Sequence, residues 1–215
     1  MYILFELSRE HESLPISEML SVLDAEGLEF KIIEKNKDIV LIKLEKNKNL
    51  KKVKKRISMA FFIDEFLFSS DKNLTKLEEK LKKYELKING SIAVKYKKRS
   101  NSIKSNDIVK LIAKYFTKNR IVNLDMPDIE IRAVITNSKI FVCRKLYEID
   151  RSEFEKRKVQ FRPFFSPISL HPKIARALVN LSGVKKNQIL LDPFCGTGGI
   201  LLEAGLIGAK PIGSD

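Results

Sequence analysis

The sequence predicts a mixed α/β and α+β fold: a lobe over residues 1–68, an α+β core over 69–147, a basic connector over 148–170 and the start of an α/β domain over 171–215. Three observations predict it. Over the first 68 residues the apolar periods follow the order strand-helix-strand-strand-helix-strand, which is that of a ferredoxin-like lobe. A second set of helices and half-buried strands comes next. Toward the end, an apolar strand enters a glycine-rich turn and then a helix, a plan that suits a nucleotide-like ligand.

In the first lobe, residues 2–7 read as a strand. Ile16, Met19, Leu20 and Leu23 recur three and four apart, so residues 15–24 read as a helix that Gly27 stops. Residues 28–33 and 39–44 flank 34–38, a hairpin turn. Leu50 and Val53 punctuate a short basic helix ending near Arg56. Residues 57–68, apolar and aromatic, supply the fourth strand.

The second part begins after Asp71. Leu74, Leu77 and Leu81 fit a charged surface helix, and Asn89-Gly90 is a turn. Residues 91–97 alternate as a half-buried strand, which places Lys95 and Lys97 opposite Ile92, Val94 and Tyr96. Lys98 and Arg99 extend that positive strip. Ile108, Leu111, Ile112 and Tyr115 form the apolar side of the next helix. Residues 131–135 and 140–143 give two more strands around Asn137-Ser138.

The connector holds Arg151, Lys156, Arg157, Lys158 and Arg162, with too few apolar anchors for a domain of its own. Pro163 and Pro167 stiffen its end. His171-Pro172 opens a helix expected to pack Ile174, Leu178 and Leu181 toward a sheet, and Gly183 ends it.

Ile189, Leu190 and Leu191 then lead into Asp192-Pro193-Phe194-Cys195-Gly196-Thr197-Gly198-Gly199. Glycine admits backbone conformations closed to other residues and lets a ligand approach without meeting a Cβ. Asp215 closes a second short strand, and an acid about 20 residues beyond such a loop is the expected partner of ribose hydroxyls. A dinucleotide fingerprint would need a further glycine where Ile200-Leu201 stands, and a phosphate loop would need a lysine after the turn. NAD and ATP are therefore the weaker candidates. A helix start whose glycines only permit close packing is the competing reading. His171 lacks a carboxylate or serine at motif spacing, which favours a capping role over general-base work. Cys195 has no adjacent base to make it a nucleophile.

The turn, followed by Ile200-Leu201-Leu202-Glu203-Ala204, resembles the S-adenosylmethionine-binding segment of methyltransferases that modify exocyclic amines of nucleic-acid bases. With Arg162-Pro163-Phe164-Phe165, Ser169-Leu170-His171-Pro172 and Ala175-Arg176-Ala177-Leu178-Val179-Asn180-Leu181 in front, the chain resembles the archaeal tRNA (guanine-10-N2) dimethyltransferase family. The similarity is close from about residue 142 to 215 and looser before it. It implies that residues 69–147 are a THUMP RNA-binding core and that 171–215 begin a Rossmann-like methyltransferase domain, truncated here. It also implies S-adenosyl-L-methionine as cofactor, held by Asp192, Pro193, Phe194, Gly196, Thr197, Gly198, Gly199 and Asp215, with Ser169 and His171 helping to close the site. The family's acceptor-orienting motif, an acid or Asn before Pro-Pro and an aromatic, is missing, since no Pro-Pro pair exists in the 215 residues. No catalytic residue is assigned. The chain is expected to be the front part of a longer enzyme and inactive in methyl transfer alone.

The formal charge is +14, and residues 61–170 carry most of it, with 24 Lys+Arg against 14 Asp+Glu. A basic field attracts a polyanion, and neutralising phosphates releases counterions, so binding should weaken with salt. A lysine-rich composition alone is the rival cause. The expected partner is tRNA, contacted through Lys95, Lys97, Lys98, Arg99, Arg132, Arg144, Arg157 and Arg162. Apolar runs fall far short of about 20 residues, which argues against a membrane span. Two cysteines without a pairing pattern suggest a cytoplasmic setting, and no metal-ligand spacing occurs. The alternatives are a non-catalytic THUMP RNA-binding protein, a methyltransferase acting on ribosomal RNA or DNA, and, with least support, a nicotinamide-dependent oxidoreductase.

Overall fold

Strand β1 (Tyr2–Leu7) is apolar on both faces, and Ile3, Leu4, Phe5 and Leu7 are all fully buried. A computed structural model describes residues 1–45, 50–86, 89–98, 105–163 and 169–215, with backbone alone at Lys97, Lys98 and Ser105. The chain divides into two compact units. One comprises Met1, Phe5–Ile63 and Tyr147–Asp215, and the other Tyr2–Leu4 and Asp64–Leu146. Among the described residues, no helix is long and apolar enough to cross a membrane.

In the first unit, β1 is followed by α1 (Leu14–Ala25), β2 (Phe30–Lys35), β3 (Ile39–Leu44), α2 (Leu50–Arg56) and the start of β4 (Ala60–Asp71). The strands lie in the order β2-β3-β1-β4. The β2/β3 pair is antiparallel, and its register shifts between Ile32 and Glu34. The expected turn over 34–38 is shorter in the structure. The Asn36 side-chain oxygen accepts the N–H groups of Asp38 at 2.8 Å and Ile39 at 3.1 Å, closing a tight Asx turn that leaves Glu34 and Lys35 in the strand.

The fourth strand starts at Ala60 rather than Ile57, for a physical reason. Ser58 and Met59 turn their N–H groups to the carboxylate of Glu18, each at 2.8 Å, instead of to a neighbouring strand. Glu18 is fully buried on α1 and also accepts the Ser58 hydroxyl at 2.6 Å and the Asn180 amide at 2.8 Å. Burial pushes its carboxyl above the usual range, and these hydrogen bonds oppose the push.

Asn180 belongs to α6 (Pro172–Leu181), and its side chain is shared between partners. Its oxygen accepts from Arg56 Nε at 2.9 Å, while its nitrogen also donates to the Arg56 carbonyl at 3.0 Å. Arg56 in turn meets Glu26 at 3.3 Å and the carbonyl of Val184. The inward face of α6 is therefore Ala175, Arg176, Val179 and Asn180, whereas Leu178, expected to point inward, is 41% exposed. Two polar side chains occupy the buried face because each finds hydrogen-bond partners there.

The connector is partly ordered into secondary structure. It forms α5 (Ser152–Lys156) and a 3-10 turn (Val159–Phe161), and the buried Phe154 anchors it. Beyond α6 come β8 (Ile189–Asp192), α7 (Gly199–Leu206) and β9 (Lys210–Gly213), with β8 and β9 parallel. Val179, Val184, Ala204 and Ala209 form a small core there with Leu190, Ile200 and Ile207.

In the second unit the strand order is β4-β7-β6-β5, with α3 (Leu74–Lys83), β5 (Ile92–Lys98), α4 (Ser105–Phe116), β6 (Ile129–Ile135) and β7 (Lys139–Glu148). Strands β5 and β6 pair in parallel, and β6 and β7 antiparallel. Leu77, Leu81, Ile108, Ile112 and Phe116 of the helices pack on alternate residues of β6, namely Ile129, Ile131, Ala133 and Ile135. Asn73 caps α3 by accepting the Lys76 N–H at 3.2 Å. Phe68, Tyr84 and Phe116 complete this core, with ring centroids 4.9 to 6.4 Å apart.

Asn180→Leu should destabilise the first unit by about 2 kcal/mol or more, because it leaves Glu18 and Arg56 short of buried partners. Urea unfolding of the native and variant chains measures this, and equal midpoints would show that the Glu18 cluster contributes no net stability.

Candidate functional site

The glycine turn is held by the ends of β8 and β9, which pair Asp192 with Gly213. Ser214 N–H donates to the Asp192 carbonyl at 3.1 Å, and Cys195 N–H to the Ser214 carbonyl at 3.0 Å. The Ser214 hydroxyl adds a bond to the Pro193 carbonyl at 3.3 Å. Within the turn, the Asp192 carboxylate accepts the Phe194 N–H at 3.2 Å, and Gly198 N–H donates to the Cys195 carbonyl at 2.8 Å.

Gly196 and Gly198 have φ of 47° and 71°, in the left-handed region. Among the described residues, a Cβ at either would meet nothing within 4 Å, so the backbone conformation rather than crowding calls for glycine there. Gly213 is the reverse case: a Cβ there would strike Leu201 Cδ1 and come within 2.9 Å of Cys195 Cβ and Sγ. Of the residues expected at this site, Asp192, Pro193, Phe194, Gly196, Thr197, Gly198 and Gly199 form the turn, and Ser169 joins it through a 3.0 Å contact between its hydroxyl and that of Thr197. Phe194 is 87% exposed, and Asp215, also exposed, directly follows Ser214. His171 caps α6, its Nδ1 accepting the Lys173 N–H at 3.2 Å while Nε2 lies 3.0 Å from Glu155. Gly213 and Ser214 were missed in the sequence, where a Gly-Ser pair before the acid was the only signal.

The described arginines expected to meet RNA are each paired with groups of the protein. Arg157 binds Glu203 of α7 at 2.9 Å and stacks over Phe154, its guanidinium carbon 4.8 Å from the ring centre. Arg176 holds the same fully buried Glu203 at 2.6 Å. Arg162 donates from Nε to the Arg157 carbonyl at 2.9 Å, and one of its terminal nitrogens lies 3.5 Å from where a Cβ on Gly199 would sit. In the second unit, Arg132 is buried against Asp64 at 3.2 Å, and Arg144 pairs with Glu65 at 2.6 Å. Glu203 stands out in the sequence as a lone acid in an apolar helix, a position that requires a paired partner when buried.

Lys95 keeps a more open position, with its side chain 48% exposed and 3.1 Å from Glu130. Lys145 reaches the same carboxylate at 2.6 Å. Burial raises the Glu130 carboxyl, but its bonds and charge attraction to Lys145 and Lys95 outweigh this and hold it below the usual range. Lys97 and Lys98 continue β5, paired in register with Val134 and Ile135. Arg99 lies outside the described residues.

Two outcomes follow from this geometry. Gly213→Ala should push Cys195 and Leu201 apart and cost about 1–3 kcal/mol of unfolding free energy, read from urea melts. Glu130→Gln should destabilise the chain most at neutral pH. Because the folded state lowers the Glu130 pKa, its contribution is complete above the unfolded value and disappears as pH falls through the folded one. Unfolding curves for both chains from pH 7 to pH 3 should therefore converge at the acid end, and a constant gap would refute this role of Glu130.

The THUMP domain model matches residues 72–144, and the RMKL-like methyltransferase domain model matches residues 159–214. The tRNA (guanine(10)-N2)-dimethyltransferase of Methanothermobacter thermautotrophicus is 37% identical over 214 residues, covering 97% of this chain and 62% of that protein. The protein of the same name from Methanocaldococcus jannaschii is 53% identical over 97 residues, 45% of this chain and 28% of that protein. The crystal structure of TrmN from Thermus thermophilus shares the fold, with a TM-score of 0.61 at 20% identity over 99% of this chain and 64% of that one. The chain thus spans less than two thirds of the length of each of these proteins. It carries a THUMP domain followed by a stretch of an RMKL-like methyltransferase domain, and over nearly its whole length it is similar to an archaeal tRNA (guanine(10)-N2)-dimethyltransferase.

Proposed function

We propose that the protein acts in S-adenosylmethionine-dependent methylation of tRNA, directing methyl groups to the exocyclic amine of guanosine 10. The observation that carries this reading is the glycine turn, where no described residue comes within 4 Å of a Cβ placed at Gly196 or Gly198, with acids at Asp192 and Asp215, in a chain that also carries a THUMP domain. The likeness to the Methanothermobacter protein, whose name specifies that substrate, supports the choice of nucleotide.

The residues present fit the cofactor. When bound, S-adenosylmethionine supplies a methyl group already activated on a sulfonium. Gly196, Thr197, Gly198 and Gly199 would admit it without a Cβ in the way, Asp192 would keep the turn in shape with Pro193 and Phe194, and Asp215 would accept hydrogen bonds from ribose hydroxyls. Ser169 would brace the turn through Thr197, while His171 would set the start of α6 beside it. Lys95, with Lys97, Lys98 and Arg99 along the same strip, would grip tRNA phosphates, which calls for exposed charge rather than base reading.

The domain plan proposed is a ferredoxin-like lobe over 1–68, the THUMP core over 69–147, the connector over 148–170 and a Rossmann-like methyltransferase portion over 171–215. The β2-β3-β1-β4 order supports the first of these, and the parallel β8-β9 pair around a glycine turn supports the last. Two cysteines without a pairing pattern support the reading of a cytoplasmic setting.

The test is made on cellular tRNA. In cells lacking the gene, mass spectrometry should find position 10 of the substrate tRNAs without N2-methylated guanosine, and re-expression should restore it. Unchanged modification at position 10, or a loss confined to ribosomal RNA or DNA, would overturn the proposal.

A further inference from the structure

Helix α2 reads Leu-Lys-Lys-Val-Lys-Lys-Arg, with no acid in it, and it lies outside both matched segments. Leu50, Val53 and Arg56 are its buried side, so Lys51, Lys52, Lys54 and Lys55 all face solvent. Arg56 pairs with Glu26, and the four lysines stand together on the exposed side of the helix.

Helix stability does not account for them. Lysines three and four apart, 51 with 54 and 55, and 52 with 55, repel one another. The helix dipole favours cations in the last turn, where Lys54 and Lys55 stand, but disfavours them in the first, where Lys51 and Lys52 stand. Lys54 lies over the Tyr147 ring at 5.9 Å and near Asp150. Among the described residues, Lys52 and Lys55 have no salt-bridge partner.

The helix is also fixed firmly in place. Arg176 donates to the carbonyls of Lys55 at 3.1 Å and Arg56 at 3.4 Å, and Arg56 binds Asn180. These bonds attach α2 to α6, the helix that precedes β8 and the glycine turn in the same unit. A strong positive surface on a rigid mount suits a rigid polyanion. The exposed side of α2 presents no apolar residue to enter a lipid layer, which favours a phosphodiester backbone over a membrane.

We propose that Lys51, Lys52, Lys54 and Lys55 form a second tRNA-backbone contact, on the unit that carries the glycine turn and apart from the Lys95 strip of the THUMP unit. The inference rests on the tRNA reading above. Its chemical content is charge alone: phosphates of one RNA stretch lie across the exposed face of α2, and each contact releases counterions. A substrate gripped there is held by the same unit that carries the turn.

The experiment measures tRNA binding by the 215-residue chain across a salt series, for the native chain and for variants with all four lysines changed to Gln or to Arg. The Gln variant should bind about tenfold more weakly or worse near 0.1 M salt, with a logarithmic salt slope reduced by up to about 1 for each contact removed. The Arg variant should bind like the native chain. If the Gln variant melts early, the pair Lys52→Gln and Lys55→Gln should still lower both affinity and slope. Native-like affinity and slope in the Gln variants would overturn the inference while leaving the tRNA reading intact. Failure of the native chain to bind tRNA at low salt would overturn both. Loss of binding to anionic phospholipid vesicles with unchanged tRNA binding would overturn it in favour of a membrane surface.

Discussion

A carboxylate taken out of water must be answered by donors, and much of the first unit is arranged around answering Glu18. Its oxygens draw the N–H groups of Ser58 and Met59 away from strand pairing and so decide where β4 begins. They also draw the Asn180 amide from 162 residues further along the chain. Apolar surfaces can slide over one another at modest cost, but a donor that slides off its acceptor is left unsatisfied in a low dielectric. The cluster of Glu18, Ser58, Asn180 and Arg56 therefore fixes which side of α6 faces inward and at what height, to a degree that Ala175 and Val179 alone would not.

The same contrast between charged groups explains how the positive charge is distributed. Arg56, Arg132, Arg144, Arg157 and Arg176 each meet a carboxylate. A planar guanidinium carries several donors in fixed directions and is weakly hydrated, so it is the cation that buried pairing selects. Lysine is a strongly hydrated point charge: Lys145 and Lys173 also pair with carboxylates, but the lysines of α2 and Lys95 stay on the exposed side. The net charge is thus a poor guide to which cations are available to a polyanion, because these five arginines are already paired within the protein.

This is also why some features were legible in the sequence and others were not. Elements set by local period were readable: α1, α2, α3 and α4 appear where their apolar spacing places them. The glycine turn was readable because left-handed backbone at Gly196 and Gly198 imposes a residue type at the site itself. The resemblance drawn from that turn and from the segments before it agrees with the THUMP and RMKL-like matches. The inward face of α6 was not readable, since Asn180 and Arg176 count as polar until partners distant in sequence, Glu18 and Arg56 for the one and Glu203 and the end of α2 for the other, are known. Nor was the role of Gly213, whose constraint is the nearness of Cys195 and Leu201 rather than its own dihedral angles.

Gly199 opens α7, and Glu203, one turn later, is pinned by Arg157 from the connector and Arg176 from α6. Arg176 also bonds the end of α2, and one turn further along α6 Asn180 is held by Glu18 of α1. Buried polar contacts thus lead stepwise from the amino-terminal lobe to the helix that starts at the glycine turn. None of these residues needs to touch a ligand for the turn to depend on them. What they supply is the placement of α7, while the ends of β8 and β9 supply the shape of the loop in front of it. Among the described residues nothing stands within 4 Å of a Cβ at Gly196 or Gly198, so the turn is held from behind, and Glu203 is the side chain through which that support reaches it.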